Sequence, residues 1–188
     1  MKTLGFAMCG SFCTLSVAFD TMKLLSEKYS ILPVMSKHVY ETDTRFGRAE
    51  DFIRQAEEIT GNTVRHTIVD TEPIGPKSLA DCMVVAPCTG NTLSKIANGI
   101  TDTSVTMAVK SSLRIGIPVV LCVASNDALS ASGPNLVKLM NTKNIYFVPL
   151  SQDDSVKKPT SLVADFSLLP ETIEAAFKGI QMQPIISV

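Results

Sequence analysis

Apolar residues fall into two rhythms along the chain. Leu4–Cys9, Tyr29–Met35, Cys82–Ala86, Pro118–Val123 and Ile145–Val148 are short, nearly continuous apolar runs of strand length. Between them, apolar residues recur at helical spacing over Phe12–Lys28, Asp43–Thr60, Thr92–Ala97, Thr103–Arg114, a stretch near Pro134–Met140, and Pro170–Gly179. Gly61-Asn62 and Asn98-Gly99 are stop signals, and Pro170 suits a first helical turn. Thr67–Val69 reads as a weaker strand. Strands alternating with helices predict βαβ units, and runs as apolar as Val119–Val123 predict a sheet covered on both faces. The expected fold is a three-layer, Rossmann-like α/β domain with a mostly parallel sheet of about six strands. A single domain over residues 1–188 is expected, with 151–188 as a C-terminal extension packing on it. Ser151–Ser161 reads as a polar surface connection.

Composition narrows this reading. A chain of 188 residues, 45% hydrophobic and 19% charged, can bury a full core without covalent staples. Lys and Arg number 17 against 18 Asp and Glu, and no basic run stands out, so neither nucleic acid nor an anionic membrane is an expected partner. The opening MKTLGFAMCGSF lacks the apolar core and cleavage site of a signal peptide, and no run reaches membrane-span length, so a cytoplasmic location is expected. The cysteines, Cys9, Cys13, Cys82, Cys88 and Cys122, are odd in number. Two of them lie inside apolar runs, which predicts reduced thiols. Cys9 and Cys13 have no second Cys/His pair in zinc spacing, and no metal site is expected.

In such folds ligands bind beyond the carboxyl ends of the strands. Three of those ends are polar here. After the first strand, Gly10 permits a tight turn and Ser11 offers a hydroxyl before a helix whose free N–H groups suit a phosphate. A dinucleotide GxGxxG fingerprint is absent. After the second strand come Ser36 and Lys37 in place of the acidic residue that a nicotinamide nucleotide would need, with Glu41 later. After the third come Pro87, Thr89, Gly90, Asn91 and Thr92. Asn91 and Thr92 could simply cap the following helix. That reading does not explain four small polar residues in a row, and a ligand cradle remains open beside it.

Strand–GS–helix, strand–Ser and the block AP-x-x-x-NT-x-x-KIANG-x-x-D (residues 86–102) together resemble the flavoprotein family that includes phosphopantothenoylcysteine decarboxylase and flavin prenyltransferase. Further segments, DTRFG (43–47), EPIGPK (72–77), SNDALS (125–130), LMNTKNIYFVPLSQDD (139–154) and LLPETIE (168–174), are similar to the group of that family formed by the B subunits of dipicolinate synthase. The family resemblance implies FMN, with Gly10 and Ser11 at its phosphate and Ser36 at the ribityl-phosphate end. Pro87, Thr89, Asn91 and Thr92 would form the opposite wall, Thr106 would lie near the ring, and Asn126 would stand for an Asn of the decarboxylases. The narrower resemblance implies a sporulation protein of the mother-cell cytoplasm. Its partner would be a dipicolinate synthase A subunit carrying NAD(P), and together they would oxidise a dihydrodipicolinate-level intermediate to pyridine-2,6-dicarboxylate. A homo-oligomer with Thr103–Arg114 near an interface is also implied.

The chain departs from the decarboxylases where their catalytic His precedes the third strand, since residues 72–77 hold no histidine and His66 lies farther upstream. Their C-terminal reactive cysteine has no counterpart after residue 140, and Met107 replaces the phosphate-neutralising Arg of the prenyltransferases. Two alternatives to the synthase-subunit reading remain: a stand-alone FMN-dependent decarboxylase or prenyltransferase, and a non-catalytic assembly subunit. No catalytic residue is assigned. For a dicarboxylate substrate the candidates are Arg45, Lys77 and Lys95, because Arg and Lys hold carboxylates. Arg45 and Arg48 could equally belong to a solvated helix face, and His38 and His66 to loop or edge positions.

Overall fold

The computed structural model describes residues 1–187. Its frame is a parallel sheet of β1 (Thr3–Met8), β2 (Ser30–Met35), β3 (Cys82–Cys88), β4 (Val119–Ser125) and β5 (Ile145–Phe147), in the order β2-β1-β3-β4-β5. Every residue of β3 and β4 is buried. This double-sided burial is what an uninterrupted apolar run requires. Helices α1 (Leu15–Ser26), α3 (Ala49–Thr60) and α8 (Leu169–Phe177) belong to one layer. On the other side lie α5 (Gly90–Ala97), α6 (Ser104–Arg114) and α7 (Gly133–Met140), with α6 packing across β1 to β4. Among the described residues no helix is long and apolar enough to cross a membrane.

The sheet has seven strands rather than about six. β6 (Leu150–Ser151) and β7 (Leu162–Ala164) are antiparallel additions flanking the polar connection, too short to leave a hydrophobic run. β5 pairs with the first half of β4, and β7 pairs with its end through Ala124↔Val163 and Ser125↔Leu162. Beyond α8, Ile186 bridges Leu150, so the C-terminal segment returns to the sheet edge.

Three expectations are corrected. Thr67–Val69 is not a strand; Thr67 caps the single turn α4 (Ile68–Thr71). Its Oγ1 accepts from the Asp70 N–H at 3.1 Å and Asp70 answers the Thr67 N–H at 3.2 Å, while Val69 stays 80% exposed. A reciprocal cap outweighs the β preference of three residues. The helix expected from Asp43 starts at Ala49, because Thr44 and Gly47 close a tight turn first, and Asp43 Oδ1 instead accepts from the Ala49 N–H at 2.9 Å. A short helix α2 (Lys37–Glu41), hidden in a polar stretch, follows β2 directly.

The EPIGPK segment is explained by packing. Gly75 lies so close to α6 that a Cβ there would stand 1.9 Å from the Ser111 carbonyl oxygen, and its N–H donates to Ser111 Oγ at 3.3 Å.

Candidate functional site

β1 connects toward β2 on one side, and β3 continues away on the other. The chain therefore reverses direction between β1 and β3, and such a switch point leaves a crevice at the strands' carboxyl ends. A cleft of about 600 Å³ lies there. Cys9, Gly10 and Phe12 follow β1, and Ser36, Lys37 and His38 follow β2. Thr89, Asn91 and Thr92 follow β3. Lys95, Asp102, Thr103, Ser104, Glu41 and His66 complete the lining with Thr67 and Ile68.

Each wall is held by an identifiable contact. Thr89 is the N-cap of α5: its Oγ1 accepts from the Thr92 N–H at 3.3 Å, and its hydroxyl donates to Thr92 Oγ1 at 3.2 Å. The Thr92 hydroxyl in turn donates to Cys9 Sγ at 3.2 Å, tying the β3 loop to the end of β1. Burial pushes the Cys9 thiol up to about 11 against the partial opposition of Thr92 and Thr89, so Cys9 remains a neutral thiol. Ser104 Oγ donates to the Met35 carbonyl at 2.6 Å and fixes the start of α6 against the end of β2. Lys95 Nζ meets both oxygens of Asp102 at 2.8 Å, and this contact holds the Asp102 carboxyl below its usual range.

The Asn91 side chain, unlike that of Thr89, makes no hydrogen bond among the described residues, and the residue is exposed within the cleft. The cap belongs to Thr89, which frees Asn91 for another partner. Ser36 Oγ is the complementary case: the residue is 8% exposed and its hydroxyl has no partner. A buried unpaired hydroxyl is costly, and a ligand oxygen would relieve it. The N-terminal ends of α2, α5 and α6 all open here, with Ser36, Thr89 and Thr103 at their caps. Their unpaired N–H groups favour an anion. At Gly10 a Cβ would stand 3.4 Å from the Phe12 ring and 3.6 Å from His38 Cβ, so the glycine keeps that part of the cleft open.

Of the candidate cofactor and substrate residues named from the sequence, Gly10, Ser36, Thr89, Asn91, Thr92 and Lys95 line this cleft, as do His38 and His66, whose positions the sequence leaves open. The remainder do not line it, each for a local reason. Ser11 heads a 3-10 turn between the lining residues Gly10 and Phe12, with Oγ 3.9 Å from Cys13 Sγ. Pro87 is buried and offers only its carbonyl, which accepts from the Cys9 N–H at 3.2 Å. Thr106 turns its hydroxyl back into the capping box of α6, 2.8 Å from Thr103 Oγ1, and borders a separate groove. Asn126 is exposed beyond β4, behind α5, whose Gly90 abuts Ser125, Asp127 and Ser132. Arg45 lies over the Phe46 ring at 4.8 Å, and Lys77 is exposed beside the Ser111 end of α6, away from the helix start that faces the cleft. Arg48 pairs with Glu50 at 2.8 Å.

His66 is the lining residue that sequence reasoning undervalued. Arg65 pairs with Val34 beside β2 in a strand-like bridge (Met35 N–H to the Arg65 carbonyl and Arg65 N–H to the Pro33 carbonyl, both 2.9 Å), and this bridge carries His66 into the cleft that Ser36 also lines. One bridged residue leaves no periodic signal.

Residues 1–165 match the family described as Flavoprotein. The chain belongs to that family. Within the flavoprotein family it is 47% identical to the dipicolinate synthase B subunit of Bacillus subtilis (strain 168) over 186 residues, covering 98% of this chain and 93% of that one. The crystal structure of the dipicolinate synthase B subunit from Bacillus halodurans C is 45% identical and superimposes with a TM-score of 0.91, covering 100% of this chain and 96% of that one. The FMN-dependent cysteine decarboxylase SpaF is 22% identical with a TM-score of 0.70 over 95% of this chain and 96% of its own, which speaks for the shared fold alone.

Proposed function

We propose that this chain is the B subunit of a dipicolinate synthase, with the β1/β3 cleft as its flavin-type ligand site. Full-length identity of 47% to a protein of that name carries the reading. The cleft supports it: its size falls in the range of about 300–1,000 Å³ common for small-molecule sites, and its unpaired donors suit a phosphorylated ligand. FMN fits these residues. Ser36 and the start of α5 would take phosphate or ribityl oxygens, Asn91 would offer its free amide, and Gly10 leaves the space.

Flavin, when bound, supplies an acceptor for two electrons and two protons. Converting a dihydrodipicolinate-level ring to pyridine-2,6-dicarboxylate releases that number of each as the ring becomes aromatic. In this reading an A subunit carrying NAD(P) takes up the reducing equivalents, and the pair works in the cytoplasm of the sporulating mother cell. What this chain contributes is orientation: helix starts facing an anionic ligand, a Lys95–Asp102 pair in the cleft wall, and a neutral Cys9 packed beneath it. A homo-oligomeric contact fits the groove along α6 lined by Ile96, Ile100, Val109 and Leu113, and light scattering that reports a 20.2 kDa monomer would contradict it.

The test compares dipicolinate formation by the A subunit alone and by A with this chain. No gain on adding it would refute the role, and a visible flavin band in the purified chain after incubation with FMN would support the cofactor. A second reading, a stand-alone flavin-dependent decarboxylase, draws on the presence of His66 in the cleft. Turnover of cysteinyl substrates without an A subunit would favour it.

A further inference from the structure

His66 is held in the cleft by stacking rather than by hydrogen bonds. Its ring lies flat on Tyr40, centroids 3.7 Å apart and planes 2° from parallel. Nδ1 is buried without a partner, whereas Nε2 makes no hydrogen bond among the described residues and is not buried. These two facts bear on which ring nitrogen carries the proton. The tautomer protonated on Nδ1 would bury an unpaired N–H, and orphaned N–H groups are tolerated less than bare acceptors. The neutral ring protonated on Nε2 leaves only a bare lone pair in the interior and presents an N–H donor on its accessible side. Asp70, whose carboxyl is held below its usual range by Thr67 and then by the neighbouring His66, accepts from the Thr67 N–H at 3.2 Å, and no side-chain hydrogen bond joins it to the ring among the described residues. The Nε2–H donor is therefore unspent, and it lines the same cleft as Ser36, whose hydroxyl is also unspent.

We infer that His66 is a ligand-contacting residue of the cleft, donating from Nε2 to an oxyanion of the bound molecule. The shared chemistry is a carboxylate or phosphate oxygen, from a pyridine-dicarboxylate-type substrate or from the phosphate of a flavin mononucleotide. The assignment rests on the proposed function for the identity of these two ligands. It gives the cleft an anion contact where Arg45 and Lys77 are not among the lining residues and Lys95 is paired with Asp102.

The test is titration calorimetry of the purified chain with FMN, riboflavin and pyridine-2,6-dicarboxylate, using wild type, His66→Phe and His66→Gln. Phe keeps the stack on Tyr40 and removes both nitrogens; Gln places an amide N–H near the Nε2 position. We expect His66→Phe to weaken one oxyanion-bearing ligand by about ten- to a hundredfold, with His66→Gln recovering most of the loss. A loss for FMN but not riboflavin identifies the phosphate; a loss for the dicarboxylate identifies the substrate. Wild-type affinity of His66→Phe for every ligand would overturn the assignment alone. A wild-type chain that binds none of them would overturn the proposed function and the assignment together. Nitrogen-15 spectra of the wild type provide a readout that needs no variant, because the chain has only 2 histidines. One ring should carry its proton on Nε2, with that signal moving on ligand addition; a His66 protonated on Nδ1 alone would overturn the inference.

Discussion

Replacing Thr89 and Asn91 separately by alanine distinguishes a helix cap from a ligand contact within three residues. Thr89→Ala removes the oxygen that accepts the Thr92 N–H at 3.3 Å and the hydroxyl that reaches Thr92 Oγ1. Loss of a threonine cap costs about 0.5–2 kcal/mol, typically about 1. For a domain of this size about 1 kcal/mol lowers the melting temperature by roughly 2–4 °C. Asn91→Ala breaks no hydrogen bond of the described residues and exchanges a weak helix former for the best one, so stability should hold or rise by up to about 0.7 kcal/mol. Its effect should appear in binding: loss of one contact to a charged ligand costs about 1.5–3 kcal/mol, or roughly ten- to a hundredfold in FMN affinity. Thermal melts and calorimetric FMN titrations on both variants make the comparison. A melting point several degrees lower for Asn91→Ala with wild-type affinity, or an unchanged melt for Thr89→Ala, would refute this division of labour.

Further outcomes follow from packing and burial. Gly75→Ala should destabilise by about 3 kcal/mol or more in urea unfolding, since the added carbon meets backbone of α6 at 1.9 Å and not a side chain that could turn away. Gly90→Ala should cost less, about 1–3 kcal/mol, because it meets the side-chain oxygens of Ser125, Asp127 and Ser132 at 2.5–2.8 Å; equal stability of the two variants would contradict the contact geometry. At about pH 8 the native chain should take up one equivalent of iodoacetamide, at Cys13, and five after denaturation, since Cys9, Cys82, Cys88 and Cys122 are buried and burial raises their thiols. Stability should fall in alkali. The folded-state values of Cys9 (about 11) and Tyr29 (about 12, raised first by burial and then by its bond to Glu174) exceed 9.0 and 10.0, so the unfolded chain loses these protons first. Stabilisation is complete below about pH 9 and is lost as pH rises through 11 to 12. A urea midpoint that does not change from about pH 8 to pH 11 would exclude it.

Strand and helix order was legible in the sequence because β1, β3 and β4 are apolar on both faces and the helices carry their own stop signals. The polar residues after the strands were legible for the same reason: where an apolar run ends in Gly10, Ser36 or Thr89, the chain has reached the edge of the sheet. Family membership followed from the residue 86–102 block, whose spacing is set by one strand, one cap and one short helix. What lay beyond reach depended on single contacts between distant segments. A capping box of two residues turned Thr67–Val69 from strand to helix, and one strand-like bridge to β2 carried His66 into the cleft. Thr106 spends its hydroxyl in the capping box of α6 and borders a separate groove, and Asn126 is exposed beyond β4, so neither is among the lining residues. Local patterns determine where the chain becomes strand, helix or loop, because that choice is made by residues within a few positions. Which side chains end up facing one another, and which are left without a partner, is decided only when the layers close.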